Sequence, residues 1–206
     1  MEFFSKYPVL KGRNILVAYF KKIEGERVYL SPINIEDAAK YTEWLNDLEI
    51  TVNLSMPHNT YTLEQEKEAL KNLSAEGYNF AIINQKDDQL LGNCGLMNVD
   101  LINRIGEVGI FIGNKDFWNQ GYGTEAMELL LDYAFHLLNL NNIELKAYAF
   151  NKRAIKCYQK CGFKLIGRRR EAHIIAGEKY DEIYMDILAA EFEGKIPALV
   201  KERINK

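Results

Sequence analysis

Apolar positions along the chain follow two rhythms, one of every second residue and one of every third or fourth, and the order in which they alternate predicts the elements. A β-branched and aromatic run from Arg27 to Ile33 predicts a strand. Asn34 stands as a cap before a helix in which Ala38, Tyr41, Leu45 and Leu48 recur at helical spacing. Thr62 and Gln65 form a capping-box pattern for a second helix ending near Ser74. Its Leu63, Ala69, Leu70 and Leu73 are apolar, and Glu64, Glu66, Lys67 and Glu68 read as a solvated face. Strands follow at Tyr78 to Ile83 and Gln89 to Asn98, joined by a hairpin turn through Gln85, Lys86, Asp87 and Asp88. A turn near Asn103 leads to a strand from Ile105 to Ile112.

The rhythm then changes to a helix at Gly123 to Leu138, a strand at Ile143 to Phe150, a helix at Lys152 to Cys161 and two strands around Gly177. Hairpins thus give way to a strand, helix, strand crossover, which must set its two strands parallel. The expected fold class is α/β, a mixed sheet with helices on both faces. The expected organisation is an N-terminal arm at 1–26, a single domain at 27–190 and a loose or helical tail at 191–206. The arm holds Phe3, Phe4, Tyr7 and an apolar run from Ile15 to Phe20, and either packs on the domain or makes a homodimer contact.

Composition narrows the classes of function. The 206 residues are 48% hydrophobic and 27% charged, enough for one sizeable core. Twenty-six basic against 29 acidic residues leave a formal charge of −3, so no positive field argues for nucleic acid. The longest apolar runs are too short to span a membrane, and Met1 to Lys6 includes an acidic residue, so neither a membrane nor a secretory signal is expected. Cys94, Cys157 and Cys161 give no even framework for disulfides, which points to a reducing cytoplasm. His58, His136 and His173 have no ligand spacing, and no metal is expected.

The most informative segment runs from Ile110 to Ala126, IFIGNKDFWNQGYGTEA, and joins a strand to a helix through Gln120, Gly121, Tyr122, Gly123 and Thr124. Its glycines let the backbone approach a ligand, and the free amides and positive dipole end of the helix suit a pyrophosphate. A dinucleotide fingerprint would need a third glycine and a P-loop a Gly-Lys-Ser/Thr end; both are absent here.

Three segments, Gly106 to Gly113 (GEVGIFIG), Phe117 to Ala126 (FWNQGYGTEA) and Asn151 to Phe163 (NKRAIKCYQKCGF), resemble the GNAT family of N-acetyltransferases. Within it the likeness is to the branch of ribosomal-protein alanine and serine acetyltransferases and spermidine acetyltransferases, over roughly Arg27 to Leu188. One departure is Trp118, where the family often has Gln or Arg. The resemblance implies a mostly antiparallel sheet with a central, splayed parallel pair of strands and acetyl-CoA between them. It places the pantetheine arm near Phe111 and Ile112 and the phosphates on the amides of Asn119, Gln120, Gly121, Tyr122, Gly123 and Thr124, with the thioester beside the helix that Asn151 opens.

On that helix Asn151 is a good cap and Gly162 a good terminator, and Ala154, Tyr158 and Cys161 share one face, so Tyr158 points inward. The resemblance implies that Tyr158 protonates the departing thiolate. Direct attack by an amine also requires loss of a proton from a group with pKa ~10. Glu107 is the best-placed carboxylate, as the base or as a group that orients a neighbour, and alternation puts it on one face with Gly109 and Phe111. A backbone N–H near Ile110 or Phe111 is the expected donor to the thioester carbonyl. No histidine is spaced to activate a cysteine, and the three read as small buried residues.

The acceptor amine, whether a small molecule or a peptide N-terminus, is expected between Tyr41 to Thr60 and the final hairpin with Glu171, His173, Tyr180 and Asp181. Glu43, Asp47, Glu49 and His58 offer polar contacts, and Trp44 reads as core. The alternative function is a non-catalytic regulator that keeps the acetyl-CoA site, with Trp118 as its one hint.

Overall fold

The computed structural model describes residues 19–54 and 57–205. Its strands are β1 (Ile23–Glu24), β2 (Val28–Pro32), β3 (Asn79–Asn84), β4 (Leu90–Asp100), β5 (Ile105–Ile112), β6 (Asn142–Tyr148), β7 (Lys164–Ile175) and β8 (Glu178–Leu188). They form an eight-stranded sheet in the order β1-β2-β3-β4-β5-β6-β8-β7. Every neighbouring pair is antiparallel except β5 and β6, which are parallel. The parallel pair follows from the helix α4 (Tyr122–His136), which carries the chain back across the sheet between them.

Alternation divides the sheet into two faces. Phe80, Ile82, Cys94, Leu96, Val108, Ile143, Leu145, Met185 and Ile187 pack on α4 and on α5 (Lys152–Lys160). Tyr29, Ala81, Ile83 and Leu90 point the other way, against Tyr41, Trp44 and Leu70 of α1 (Ala38–Leu45) and α3 (Leu63–Glu76). α2 (Leu48–Thr51) follows α1 directly. Ile196 of α6 (Ile196–Ile204) is buried, and the Asp132 carboxylate accepts hydrogen bonds from the Lys195 and Ile196 amides. No helix among the described residues is long and apolar enough to cross a membrane.

The local signals act as their chemistry requires. The Thr62 side chain accepts from the Gln65 amide while the Gln65 side chain accepts from that of Thr62, and Gly77 ends α3 at φ 80°. Three expectations change. Asn34 caps a short 3-10 turn, Ile35–Asp37, rather than the α-helix itself. The helix begun at Ala38 stops at Leu45, because Asp47 caps a new one and accepts from the Glu49 amide, so Leu48 is exposed and not on the apolar stripe of α1. Glu66, read as solvated, is 4% exposed, since α3 rolls that position onto α1. Of the arm, residues 1–18 lie outside the described residues. Ile23 and Glu24 pair with β2, and the Tyr19 hydroxyl donates to Asp37 at 3.0 Å.

Candidate active site

β5 and β6 pair only at Ile105 with Asn142, Gly106 with Ile143 and Glu107 with Glu144. Beyond Glu107, β5 stays with β4 as far as Ile112 while β6 stays with β8 as far as Tyr148, so a wedge opens between them. The Gly113 amide donates to the Leu91 carbonyl, which sets the phase of the ladder. In that phase Gly109 and Phe111 bond to β4, and Ile110 and Ile112 turn their main-chain groups toward the wedge. The Phe111 side chain meets Tyr41 and Trp44 edge-on. The Ile112 carbonyl accepts from the Trp118 indole at 2.7 Å. Between the wedge and α5 lies a cleft of about 290 Å³.

The loop from β5 to α4 forms one wall. Gly113 is required there, because a Cβ would lie 2.1 Å from the Trp44 ring. Asn114 caps a short turn, Lys115–Phe117, and Lys115 reaches Asp47 at 2.6 Å and Glu49 at 2.5 Å, tying the loop to α2. Asn119 and Gly121 take positive φ, 58° and 87°. Between them the Gln120 carbonyl accepts from the Arg27 guanidinium at 2.8 Å, which also pairs with Glu125 at 2.9 Å and lies over the Tyr122 ring. Burial would raise the Glu125 carboxyl, but the Arg27 amide and guanidinium hold it below its ordinary value. No side chain caps α4, so its first amides, around Gly123 and Thr124, are open to an anion.

α5 forms the opposite wall. Asn151 caps it by accepting from the Ala154 amide at 3.1 Å. Ala154 and Tyr158 both line the cleft, and burial pushes the Tyr158 hydroxyl well above its ordinary value, so it stays protonated at neutral pH. Arg153, Lys156 and Lys160 also reach the cleft, with the Arg153 guanidinium 3.8 Å from the centre of the Trp118 ring. These cations sit at i, i+3 and i+7, a spacing that the sequence carries and that the helical periodicity alone could have flagged. Cys157, read as a small buried residue, is half-buried and lines the cleft, because it shares the α5 edge that faces Thr124.

Glu107 lies on the face of Phe111, as alternation requires, at the point where the strands part. It accepts from Asn98 Nδ2 and from Lys146 Nζ, each at 3.1 Å, and does not line the cleft. The hydrogen bond to Glu107 holds the Lys146 ammonium above its ordinary pKa. Farther along that face the Tyr148 hydroxyl donates to the Leu54 carbonyl at 3.0 Å. Tyr148 stacks on Phe150 and meets His173 edge-on, and Phe150 meets Tyr180. Glu182 bonds His173 Nε2 at 3.0 Å and accepts from the Tyr184 hydroxyl at 2.6 Å.

Of the residues expected at the acceptor side, Tyr180 and His173 thus join one aromatic group. Glu171 pairs with Lys179, Asp181 with Arg168, and Glu43 with Lys40, while His58 is exposed and Trp44 is core. Tyr148, Phe150, Glu182 and Tyr184 are additions that the sequence pattern does not single out. Period-two alternation on Ile143 to Phe150 shows which side chains share a face, but not that β8 lies next to β6. Among the described residues no group of three or more His, Cys, Asp or Glu could hold a metal ion.

Comparison with known proteins gives a consistent picture. Residues 27–164 match the acetyltransferase (GNAT) domain. The chain is 30% identical over 173 residues to the uncharacterised N-acetyltransferase p20 of Bacillus licheniformis, covering 82% of this chain and 97% of that protein. It is 33% identical over 109 residues to the Bacillus subtilis protein YdaF, provisionally named a ribosomal N-acetyltransferase, covering 53% of this chain and 59% of that one. Among solved structures, a spermidine N-acetyltransferase from Vibrio cholerae in complex with CoA and spermine superposes with a TM-score of 0.72 at 23% identity, covering 80% of this chain and 97% of that one. A GNAT acetyltransferase from Bacillus anthracis does so at 0.73 and 22%, covering 82% and 99%.

Proposed function

The chain belongs to the GNAT family of acetyltransferases, and from that premise we propose that it transfers an acetyl group from acetyl-CoA to a primary amine by direct attack in a ternary complex. The observation that carries this reading is the parting of β5 and β6 beside the open amides of α4. The donors present fit acetyl-CoA. Ile110 offers its outward N–H and carbonyl, and Ile112 its N–H, to an extended pantetheine, and the loop amides from Asn119 to Thr124, foremost those of Gly123 and Thr124, would meet the pyrophosphate. Arg153, Lys156 and Lys160 add charge for the remaining phosphate.

Each wall then has a task. Ile110 N–H polarises the thioester carbonyl, and Tyr158, held neutral by burial, protonates the departing thiolate. Glu107 receives the proton of the amine through ordered water, with Asn98 and Lys146 fixing its carboxylate. The amine enters beside the aromatic group of Tyr148, Phe150 and Tyr180, which the Tyr148 hydroxyl ties to Leu54, and Glu182 supplies negative charge there. Relatives named for ribosomal and spermidine acetylation make a protein N-terminus and a polyamine the two acceptor classes to try first. The regulator alternative loses its hint, because Trp118 has a packing role of its own, with its indole N–H on the Ile112 carbonyl and its ring under the Arg153 guanidinium.

The test is thiol release from acetyl-CoA across spermidine, amino sugars, aminoglycosides and peptides beginning with Ala or Ser. Acceptor-dependent release is expected, with kcat down about a hundredfold in Tyr158→Phe and acetyl-CoA affinity retained. Unchanged turnover in that variant would remove the general-acid role. Failure of the unaltered protein to bind acetyl-CoA would remove the reading as a whole.

A further inference from the structure

Two thiols, Cys157 on α5 and Cys161 at its C-terminal cap, converge on one residue of α4. Cys157 Sγ lies 3.3 Å from Thr124 Oγ1, and one turn later Cys161 Sγ lies 3.7 Å from the Thr124 carbonyl as its donor. Cys157 lines the cleft and is half-buried, whereas Cys161 and Cys94 are buried. The acetyl-transfer scheme uses none of them. Cys157 also sits beside the first turn of α4, whose positive end favours an anion, and the cleft wall it shares carries Arg153, Lys156 and Lys160.

We propose that Cys157 is a site of reversible S-thiolation by anionic low-molecular-weight disulfides, and that the adduct closes the cleft. The thiolate of Cys157 attacks one sulfur of R–S–S–R. That bond breaks, a Cys157–S–S–R bond forms, and R–S⁻ leaves and takes a proton from water, so one disulfide is exchanged for another with no further oxidant. Excess thiol runs the exchange backward. The cations of α5 favour an anionic reagent such as glutathione disulfide over the cationic cystamine. A peptide-sized adduct on Cys157 would fill a cleft of about 290 Å³ beside Tyr158. The loss of acetyl-CoA binding rests on the proposed acetyltransferase function; the modification does not.

The surroundings also set the pH range. The neighbouring Cys161 thiol lowers the Cys157 thiol, burial opposes it, and the Thr124 hydroxyl and the Lys160 charge lower it further against Glu128, so that it lies below its ordinary value. Cys161 and Cys94 are pushed up, the first by its bond to Cys157 and the second by burial. The Cys157 thiolate fraction therefore rises at lower pH than that of an ordinary thiol.

The experiment exposes the full chain to glutathione disulfide and follows intact mass, peptide mapping and acetyl-CoA binding. One glutathionyl adduct is expected at Cys157, forming faster at pH 7 than at pH 6 and faster than the cystamine adduct, with acetyl-CoA binding lost and then restored by dithiothreitol. Cys157→Ser should gain no adduct, and its acetyl-CoA affinity should be the same before and after exposure. Cys161→Ala should still be modified, with its pH midpoint moved upward. No adduct, an adduct on Cys94 or Cys161, or an adducted protein that binds acetyl-CoA undiminished would overturn the proposal. Untreated protein that fails to bind acetyl-CoA would instead refute the acetyltransferase function, and the mass and mapping results would still decide on Cys157.

Discussion

Glu66 is a carboxyl whose burial should be readable in the stability of the whole domain. It sits on α3 at 4% exposure, close enough to the buried Tyr41 to act on its charge, and desolvation pushes its pKa up to about 7. In the unfolded chain the same group titrates near ~4.3. A carboxyl raised by folding favours the protonated form, so its contribution to stability is full below the unfolded value and is lost as pH rises through about 7. Above that pH the folded state carries a buried carboxylate at a cost of up to ~4 kcal/mol, from about 1.4 kcal/mol for each unit of displacement. Glutamine keeps the shape and cannot ionise. Glu66→Gln should therefore stabilise the protein by up to ~4 kcal/mol at pH 8, raising Tm by roughly 8–16 °C for a chain of this size, with a gain of only ~1 kcal/mol at pH 5. Thermal unfolding of both proteins at the two pH values measures it. An equal difference at pH 5 and pH 8, or a less stable variant at pH 8, would refute the assignment of burial as the cause.

Two other substitutions probe the surroundings of the cleft. Glu107→Gln should lower kcat/KM by about a hundredfold and alter the pH–rate profile; an unchanged profile would hand the proton to water or another carboxylate. Gly113→Ala would place a methyl 2.1 Å from the Trp44 ring, so the ring must move away from Tyr41 and Phe111. A loss of about 1–3 kcal/mol in urea unfolding is expected, together with weaker acetyl-CoA binding, and full stability would show that Trp44 yields freely.

Interactions spanning a few residues are legible in the amino-acid order alone. The Thr62 and Gln65 box, the Asn151 cap and the Gly-rich approach to α4 are local, and each works through groups within one turn of the chain. Spacing on Asn151 to Gly162 likewise turns Tyr158 inward, and the crossover through α4 makes β5 and β6 parallel. Expectation and structure part where distant segments meet. Glu66 has the composition of a solvated face, yet α1 covers it, and Leu48 keeps helical spacing although Asp47 restarts the chain. Trp118 departs from the family pattern, and only the fold gives its N–H the Ile112 carbonyl and its ring the Arg153 guanidinium. The acceptor face is least legible, because Tyr148, Glu182 and Tyr184 become neighbours through a sheet order that sets β8 between β6 and β7. Spacing encodes which way a side chain points from its own helix or strand. What it points at depends on elements brought together by the burial of the core, and that is decided by the tertiary structure alone.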